Sequence, residues 1–449
     1  VNATALAPPY PLARGLRLDT AAFRLVVSGL WLTALHALPP TLESLLFWIL
    51  PAAALLRAAR TPADPGFFYA FFFFLYNASF LAVGGILEPT VTPEEVQILR
   101  RAAAAGFAGV WVGAALARPD RPPGGPEQLA PLFRGVPLLL VLLLTLCTAY
   151  PLVEAASRGF ASKQEFKRSG AFSVRFLVFL YPLMFTAMGI IHHHLRAGRP
   201  RTAWRWWLAA AVWFTLIFAV VGERDAIFMF GCLSAFYALE VLRWIRPRHV
   251  LAAMLIGLAS VQLLHNLKGF LLYEPGEARE KELAWFPGEF LSASRNFWLF
   301  LDHRGDEQIG AELLAMDLRR FLDSGLFGTK QSVSSTEWFN RQFLAKKGAG
   351  LGFSLLAEWY AVGRLAGCFA FFLAWTVLLT ALHRRRARGL GAYLIFSGVM
   401  LVSCYALRAD MSNLLGFSLK TVVLPLLSFA AYDRVMRRLR PAPGAGGLA

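Results

Sequence analysis

Twelve long apolar runs fill most of this chain, at 21–38, 41–57, 67–87, 98–117, 135–153, 171–195, 203–221, 226–243, 249–272, 353–382, 389–407 and 412–432. Most approach the roughly 20 residues that an α-helix needs to cross about 30 Å of hydrocarbon. Backbone polar groups in lipid must be satisfied within their own segment, so runs of this length fold as helices. Strand-period alternation, the mark of a membrane barrel, is missing. A chain that is 57% hydrophobic with a mean hydropathy of +0.51 is also too apolar for a soluble domain of this size. The fold class expected is an all-α polytopic membrane protein with about twelve transmembrane helices, residues 1–449 forming a single integral membrane domain.

Basic residues set the orientation. His383-Arg384-Arg385-Arg386-Ala387-Arg388-Gly389 joins two runs; Arg196, Arg199, Arg201 and Arg205 sit in a second loop, and Arg246 and Arg248 in a third. Arg14 and Arg17 precede the first run, and Arg434, Arg437, Arg438 and Arg440 follow the last. With twelve spans all of these fall on one side, which the positive-inside rule makes the cytoplasm, so both termini are expected inside. The net charge of +17 therefore reflects orientation, and no nucleic-acid motif accompanies it. The opposite, extracytoplasmic side receives the loops at about 88–97, 154–170, 222–225, 273–352 and 408–411. Only 273–352 is long; its apolar-periodic stretches at 289–301 and 307–322 predict amphipathic helices on or near the membrane surface.

Residues 1–20, with Pro8, Pro9, Pro11, Arg14, Arg17 and Asp19, lack a secretory signal's apolar core, so the first span is expected to direct insertion. Cys147, Cys232, Cys368 and Cys404 all lie within runs and lack C-x-x-C spacing, so neither a structural disulfide nor a cysteine metal site is expected. His192-His193-His194 suggests metal at first sight. Successive helical residues point about 100° apart, so three neighbours cannot share one ion.

The charges at the outer ends of the runs carry the functional signal. Loop 154–170 holds Arg158, Lys163, Lys167 and Arg168 against Glu154 and Glu165, and Arg175 follows just inside the next run. Positive charge here is either a tolerated exception to orientation or an attraction for an anion. Gly222-Glu223-Arg224-Asp225 leaves almost no loop between two runs. Arg224 and Asp225 then either neutralise each other across a tight hairpin or present a guanidinium suited to phosphate oxygens. Arg408-Ala409-Asp410 makes another short connection, Lys420 falls well inside the last run, and Lys268 lies near the outer end of its own. A cation at depth costs about 2.5–3.5 kcal/mol on the insertion scale, so Lys420 requires a carboxylate such as Asp410 or Glu358, or an anionic ligand. Five cations from five segments at one end of the bundle suit a strongly anionic group, a pyrophosphate better than one carboxylate. Glu358 is either a structural partner of Arg364 or Lys420, or a carboxylate whose burial fits it to accept a proton. Gly363 and Gly367 form a G-x-x-x-G expected to serve helix packing.

Together the external Gly222-Glu223-Arg224-Asp225, the long late loop, and the block from Gly350 to Gly367 with Ser354, Glu358 and Tyr360 resemble the Wzy-type O-antigen (oligosaccharide repeat-unit) polymerases. Where many relatives have Asn-Phe-Gly after the tyrosine, this chain has Ala361-Val362-Gly363, so that part of the match is the glycine alone. The resemblance implies a multi-pass glycosyltransferase of the bacterial inner membrane with its active site facing the periplasm. Donor and acceptor are undecaprenyl-pyrophosphate-linked oligosaccharides, the product is polyprenyl pyrophosphate, and neither nucleotide sugar, metal nor other cofactor is needed. A chain-length regulator and a flippase are the protein partners it implies. On this basis Arg224, Arg408 and Lys268, then Arg175 and Lys420, are the candidates for holding pyrophosphate, with Asp410 beside them. Glu358 or Asp225 is the candidate base, and His303-Arg304 in the long loop a further pair, although His303 reads sooner as a solvated loop residue. Trp285, Trp298 and Trp338 either stack on sugars or anchor loop helices.

Two other functions share the layout. An O-antigen ligase moves the same kind of glycan onto lipid A core, and a secondary transporter or lipid-linked oligosaccharide flippase also uses twelve spans. A transporter would place charges near midplane and show two similar halves, whereas here the charges crowd one end.

Overall fold

The computed structural model describes residues 18–87, 90–116, 125–158, 166, 169, 171–250, 252, 288–304, 309–323, 332–343 and 352–439. Among these residues the chain is helical and contains no strand. The helices are α1 (Leu18–Ala37), α2 (Pro40–Ala58), α3 (Phe68–Leu87), α4 (Pro93–Leu116), α5 (Leu138–Arg158), α6 (Leu180–Arg196), α7 (Pro200–Val221) and α8 (Arg224–Glu240). After them come α9 (Gly288–Arg304), α10 (Glu312–Phe321), α11 (Ser335–Phe343), α12 (Leu355–Arg385), α13 (Leu390–Ala406), α14 (Met411–Ser418) and α15 (Leu424–Leu439). A 3-10 stretch, Phe172–Phe179, leads into α6, and a π-helical turn, Leu419–Val423, joins α14 to α15.

Seven segments among the described residues are long and apolar enough to cross a membrane: Thr20–Ala37, Pro40–Ala58, Leu138–Arg158, Phe172–Arg196, Pro200–Val221, Leu355–Arg388 and Met411–Met436. Phe68–Ala82 and Leu390–Ala406 are shorter apolar helices. The chain is therefore a polytopic, all-helical membrane protein. The run at 249–272 lies almost wholly outside the described residues.

Burial separates an inner from an outer set. α1, α2, α5 and α7 expose Leu30, Leu56, Val153 and Val212, as a lipid-facing surface requires. Inside lie α4, α6 and α13, and α4 is packed closely along its middle. Ala102, Ala103, Ala104 and Ala105 are at most 2% exposed, and Gly109 and Gly113 let its backbone touch that of α12. A Cβ on Gly109 would stand 2.5 Å from the Phe369 carbonyl oxygen, and one on Gly113 2.8 Å from that of Leu373. Lipid supplies no hydrophobic force between helices, so close van der Waals contact of small residues is what holds such a pair. Glu43 of α2 is fully buried against α4, 3.7 Å from both Arg100 and Arg101, and accepts from Gln97 at 2.9 Å.

The two expected amphipathic stretches fare differently. α9 does not lie on the surface: Phe290, Phe297, Trp298 and Phe300 are buried. Ser79 Oγ donates to the Phe290 carbonyl at 2.9 Å, and Trp298 Nε1 to Glu95 at 3.0 Å. Trp298 is thus a packing residue, stacked on Phe80. Its run of aromatic residues buries more apolar area inside the bundle than a surface site allows. α10 keeps one apolar face, with Leu313 and Asp317 its buried residues.

A polar assembly lies at the C-terminal end of α12. His383 sits 3.8 Å from Asp64 and 3.8 Å from Glu240, and Arg386 reaches Glu240 at 3.1 Å. His192 uses both ring nitrogens, Nδ1 with the Tyr237 hydroxyl at 2.6 Å and Nε2 with the Leu129 carbonyl at 3.2 Å.

Replacing Gly109 by valine should overpack the α4–α12 contact and lower stability by about 1–3 kcal/mol. Gly135, which has open space around it, should tolerate alanine; denaturation of the detergent-solubilised variants compares the two.

Candidate functional site

The outer end of the bundle is built around the start of α14. Asp410 is its N-cap: Oδ1 accepts from the Asn413 amide at 2.8 Å and from its side chain at 2.7 Å. Capping satisfies a donor the first helical turn would otherwise leave unpaired. One turn upstream, Tyr405 ends α13, and its ring lies 4.8 Å from that of Phe417 on α14. The Arg408 guanidinium stands 4.6 Å from the Tyr405 centroid, and Lys420 Nζ 5.8 Å from that of Phe417. One aromatic pair thus seats two cations, a contact worth about 0.5–2 kcal/mol each. Lys420 sits in the π turn and is exposed. Such turns locally widen a helix and recur at functional sites.

Tyr405 and Phe417 also line a cavity of about 70 Å³ between α3, α8, α13 and α14. Phe68, Phe72, Tyr76, Phe228, Met229, Leu401, Val402 and Cys404 make it strongly apolar, and Asp225 is its charged lining residue. Asp225 belongs to the first turn of α8, where the helix dipole favours an anion. Chemically this is an apolar slot with one carboxylate in its wall, two of its lining rings each covered by a cation from outside the lining.

Beside the slot, three carboxyls from three elements meet with no exposure at all: Asp317 of α10, Glu358 of α12 and Asp410. Asp317 accepts from the Ser335 amide at 2.6 Å, the Ser335 hydroxyl at 3.0 Å and the Ser412 amide at 3.2 Å. Glu358 Oε2 accepts from the Met411 amide at 2.9 Å, and Asp410 Oδ2 from the Thr336 amide at 3.1 Å. The loop helices α10 and α11 are thereby tied to the first turns of α12 and α14. Gly352 adds a backbone contact: a Cβ there would fall on the Arg408 carbonyl oxygen, at 2.0 Å.

The sequence candidates sort accordingly. Asp225 lines the slot, and Arg408 and Lys420 lie outside its lining, each over one of its lining rings, Tyr405 and Phe417. Glu358 pairs with neither Arg364 nor Lys420; its hydrogen-bond partner is the Met411 amide, next to the Ser412 amide that Asp317 accepts. Asp410 serves as a helix cap rather than as the partner of Lys420. Arg175 is exposed and stacks on Phe172 of its own turn, which does not line the slot. His303 is exposed, with Nδ1 3.0 Å from the Leu299 carbonyl and its ring 5.0 Å from that of Phe343. Arg224 is the first residue of α8 and Arg304 the last of α9; their side chains, and all of Lys268 and Trp285, lie outside the described residues.

The G-x-x-x-G expectation is corrected. Gly363 has no atom near the place of its missing Cβ, and Gly367 lies against the Trp359 carbonyl of its own helix. The two glycines bracket a break in α12, where Gly363 has φ −148° and Arg364 φ 55°, ψ −145°, a region costly for a side-chain-bearing residue. The break frees the Ala361 carbonyl, which accepts from the amides of Ile309 and Gly310 at 3.0 and 3.1 Å.

Asp317, Tyr405 and Phe417 were not singled out from sequence. Asp317 had a signal: it falls four residues after Leu313 on the buried face of an amphipathic helix, where an acid must find donors. The aromatic pair had none, because it joins two helices. The chain matches no family model, no curated protein and no solved structure.

Gly352→Ala should push the Arg408 backbone away and weaken the outer assembly, seen as a lower melting temperature in detergent. A melting temperature equal to wild type would show that the contact yields without cost.

Proposed function

We propose that the protein is a membrane glycosyltransferase of the Wzy polymerase type, extending lipid-linked oligosaccharide repeat units at the extracytoplasmic face of the bacterial inner membrane. The observation that carries this reading is the slot: an apolar cleft with Asp225 in its wall, two of whose lining rings, Tyr405 and Phe417, are each covered by a cation, Arg408 and Lys420. A polyprenyl pyrophosphate has this polarity, an isoprenoid chain ending in a compact, multiply charged head.

In this reading an acceptor sugar hydroxyl attacks the anomeric carbon of the donor glycan. The bond from that carbon to the pyrophosphate oxygen breaks, and polyprenyl pyrophosphate leaves. Arg408 and Lys420 stabilise the negative charge gathering on the leaving oxygens, with Arg224, next to Asp225 at the start of α8, and Lys268 as further cations. Asp225 takes the hydroxyl proton. It is preferred to Glu358 as base because Glu358 is fully enclosed, whereas Asp225 faces the cavity.

The topology proposed is twelve spans with both termini cytoplasmic and residues 273–352 as the periplasmic loop. Two features support it. His383 and Arg386, in the loop that the sequence assigns to the cytoplasm, meet Asp64 and Glu240 at one end of α12. Asp317, Glu358 and Asp410, assigned to the other, meet at the opposite end.

Purified protein in detergent, where there is no membrane to cross, should convert lipid-linked repeat units into a ladder of longer glycans. Arg408→Ala and Arg224→Ala should each slow extension by about 100-fold or more, the scale of losing one charge-stabilising donor, while the variants stay folded. Transport without extension would identify a transporter, and transfer only to lipid A core a ligase. Unchanged ladders from both variants would remove these cations from the site.

A further inference from the structure

The carboxyls Asp317, Glu358 and Asp410 play no part in the proposed transfer, yet they are the most enclosed acidic grouping at the outer end. Seven donors converge on them: the amides of Ser335, Thr336, Met411, Ser412 and Asn413, the Ser335 hydroxyl and the Asn413 carboxamide. Glu358 Oε1 receives none of these, and the two carboxyls are brought together by the adjacent amides of Met411, which Glu358 accepts, and Ser412, which Asp317 accepts. Two ionised carboxylates in that position repel, whereas a proton between them turns the contact into a hydrogen bond. Among the described residues no lysine or arginine forms an ion pair with any of the three.

The other charges of the surrounding elements are directed elsewhere. Arg320 pairs with Glu337, joining α10 to α11, and donates to the Ser332 carbonyl at 2.8 Å. Asp323 accepts from the Ser332 amide and hydroxyl. Arg100 and Arg101 of α4 turn to Glu43. On α9, Asp302 and His303 lie 3.3 Å apart, while Arg295 has contacts of its own. Arg364 covers Tyr360, Arg408 covers Tyr405 and Lys420 covers Phe417. Glu312, Arg319 and Arg341 complete the charges of α10 and α11.

We propose that Asp317, Glu358 and Asp410 form a proton-dependent latch, which pins the loop helices α10 and α11 to the bundle and positions α14, with Phe417 and Lys420, at the slot. All three are positioning residues, since they act through α14. The consequence for glycan extension rests on the function proposed above; the latch itself does not.

The direction of the pH effect follows from Asp317. Burial first, and the Asp410 charge second, push its carboxyl up from 3.8 to about 6, against donors that pull it down. The latched state thus binds a proton more tightly than a free aspartate does. The Asp317 contribution to its stability rises as pH falls through about 6 toward 3.8 and is lost as pH rises through that window.

Hydrogen exchange on the full-length protein in nanodiscs tests this, read at 332–343 and 410–418 at pH about 5 and about 8 and corrected for intrinsic rates. Protection should fall by about tenfold or more at the higher pH, since one proton links to one decade per pH unit inside the window. Glu358→Gln, whose carboxamide donates without titrating, should stay protected at both values. Asp317→Asn, read identically, serves if that variant does not fold, and it too should lose the pH dependence. Wild-type protection independent of pH, or a variant that keeps the wild-type profile, would overturn the latch. Extension by the same samples separates the two ideas. A pH-dependent latch with no glycan product at either pH sinks the transferase reading alone. Extension with flat exchange sinks the latch alone.

Discussion

Close backbone contact between α4 and α12 is the constraint on which the rest of the structure depends. Helices in lipid gain nothing from hiding apolar surface from one another, so they associate where small residues allow dense packing. Gly109 and Gly113 meet the α12 backbone directly, and the alanines before them leave the middle of α4 buried. With α12 held along its length, its two ends become fixed platforms. One carries Glu358, the other His383 and Arg386.

Those platforms explain where the polar groups gather. A buried charge is tolerable only with partners, and the two ends solve this differently. At the His383 end, opposite charges meet: Arg386 and His383 lie against Glu240, with Asp64 beyond. At the Glu358 end the partners are backbone amides at the starts of α11 and α14. Helix starts offer such donors in number, so three acids can be enclosed without a cation. This keeps Arg408 and Lys420 on their aromatic seats, beside the slot that Asp225 enters.

Much of the helical framework was legible in the chain, because a long apolar run in lipid has few alternatives. The α12 break was not. Gly363 and Gly367 suit close packing and interruption equally well, and the decision lay with the Ile309 and Gly310 amides, which take up the Ala361 carbonyl. α9 carried an amphipathic pattern fit for a membrane surface, but its aromatic face found room against α3. Of the site, Arg408, Lys420 and Asp225 were legible as charges where a helix end should be apolar. Glu358 and Asp410 were visible for the same reason, and their structural partners were not, since Asp317, Ser335 and Thr336 arrive from a distant loop.

Sequence by itself determined that this chain is a bundle of apolar helices with its unusual charges at helix ends, because hydropathy is local and lipid enforces the outcome. Only the tertiary structure decided which charges share a cavity and which are consumed as caps. That depends on distances between segments far apart in the chain, and a carboxylate looks the same in sequence whether it faces an open slot or an amide.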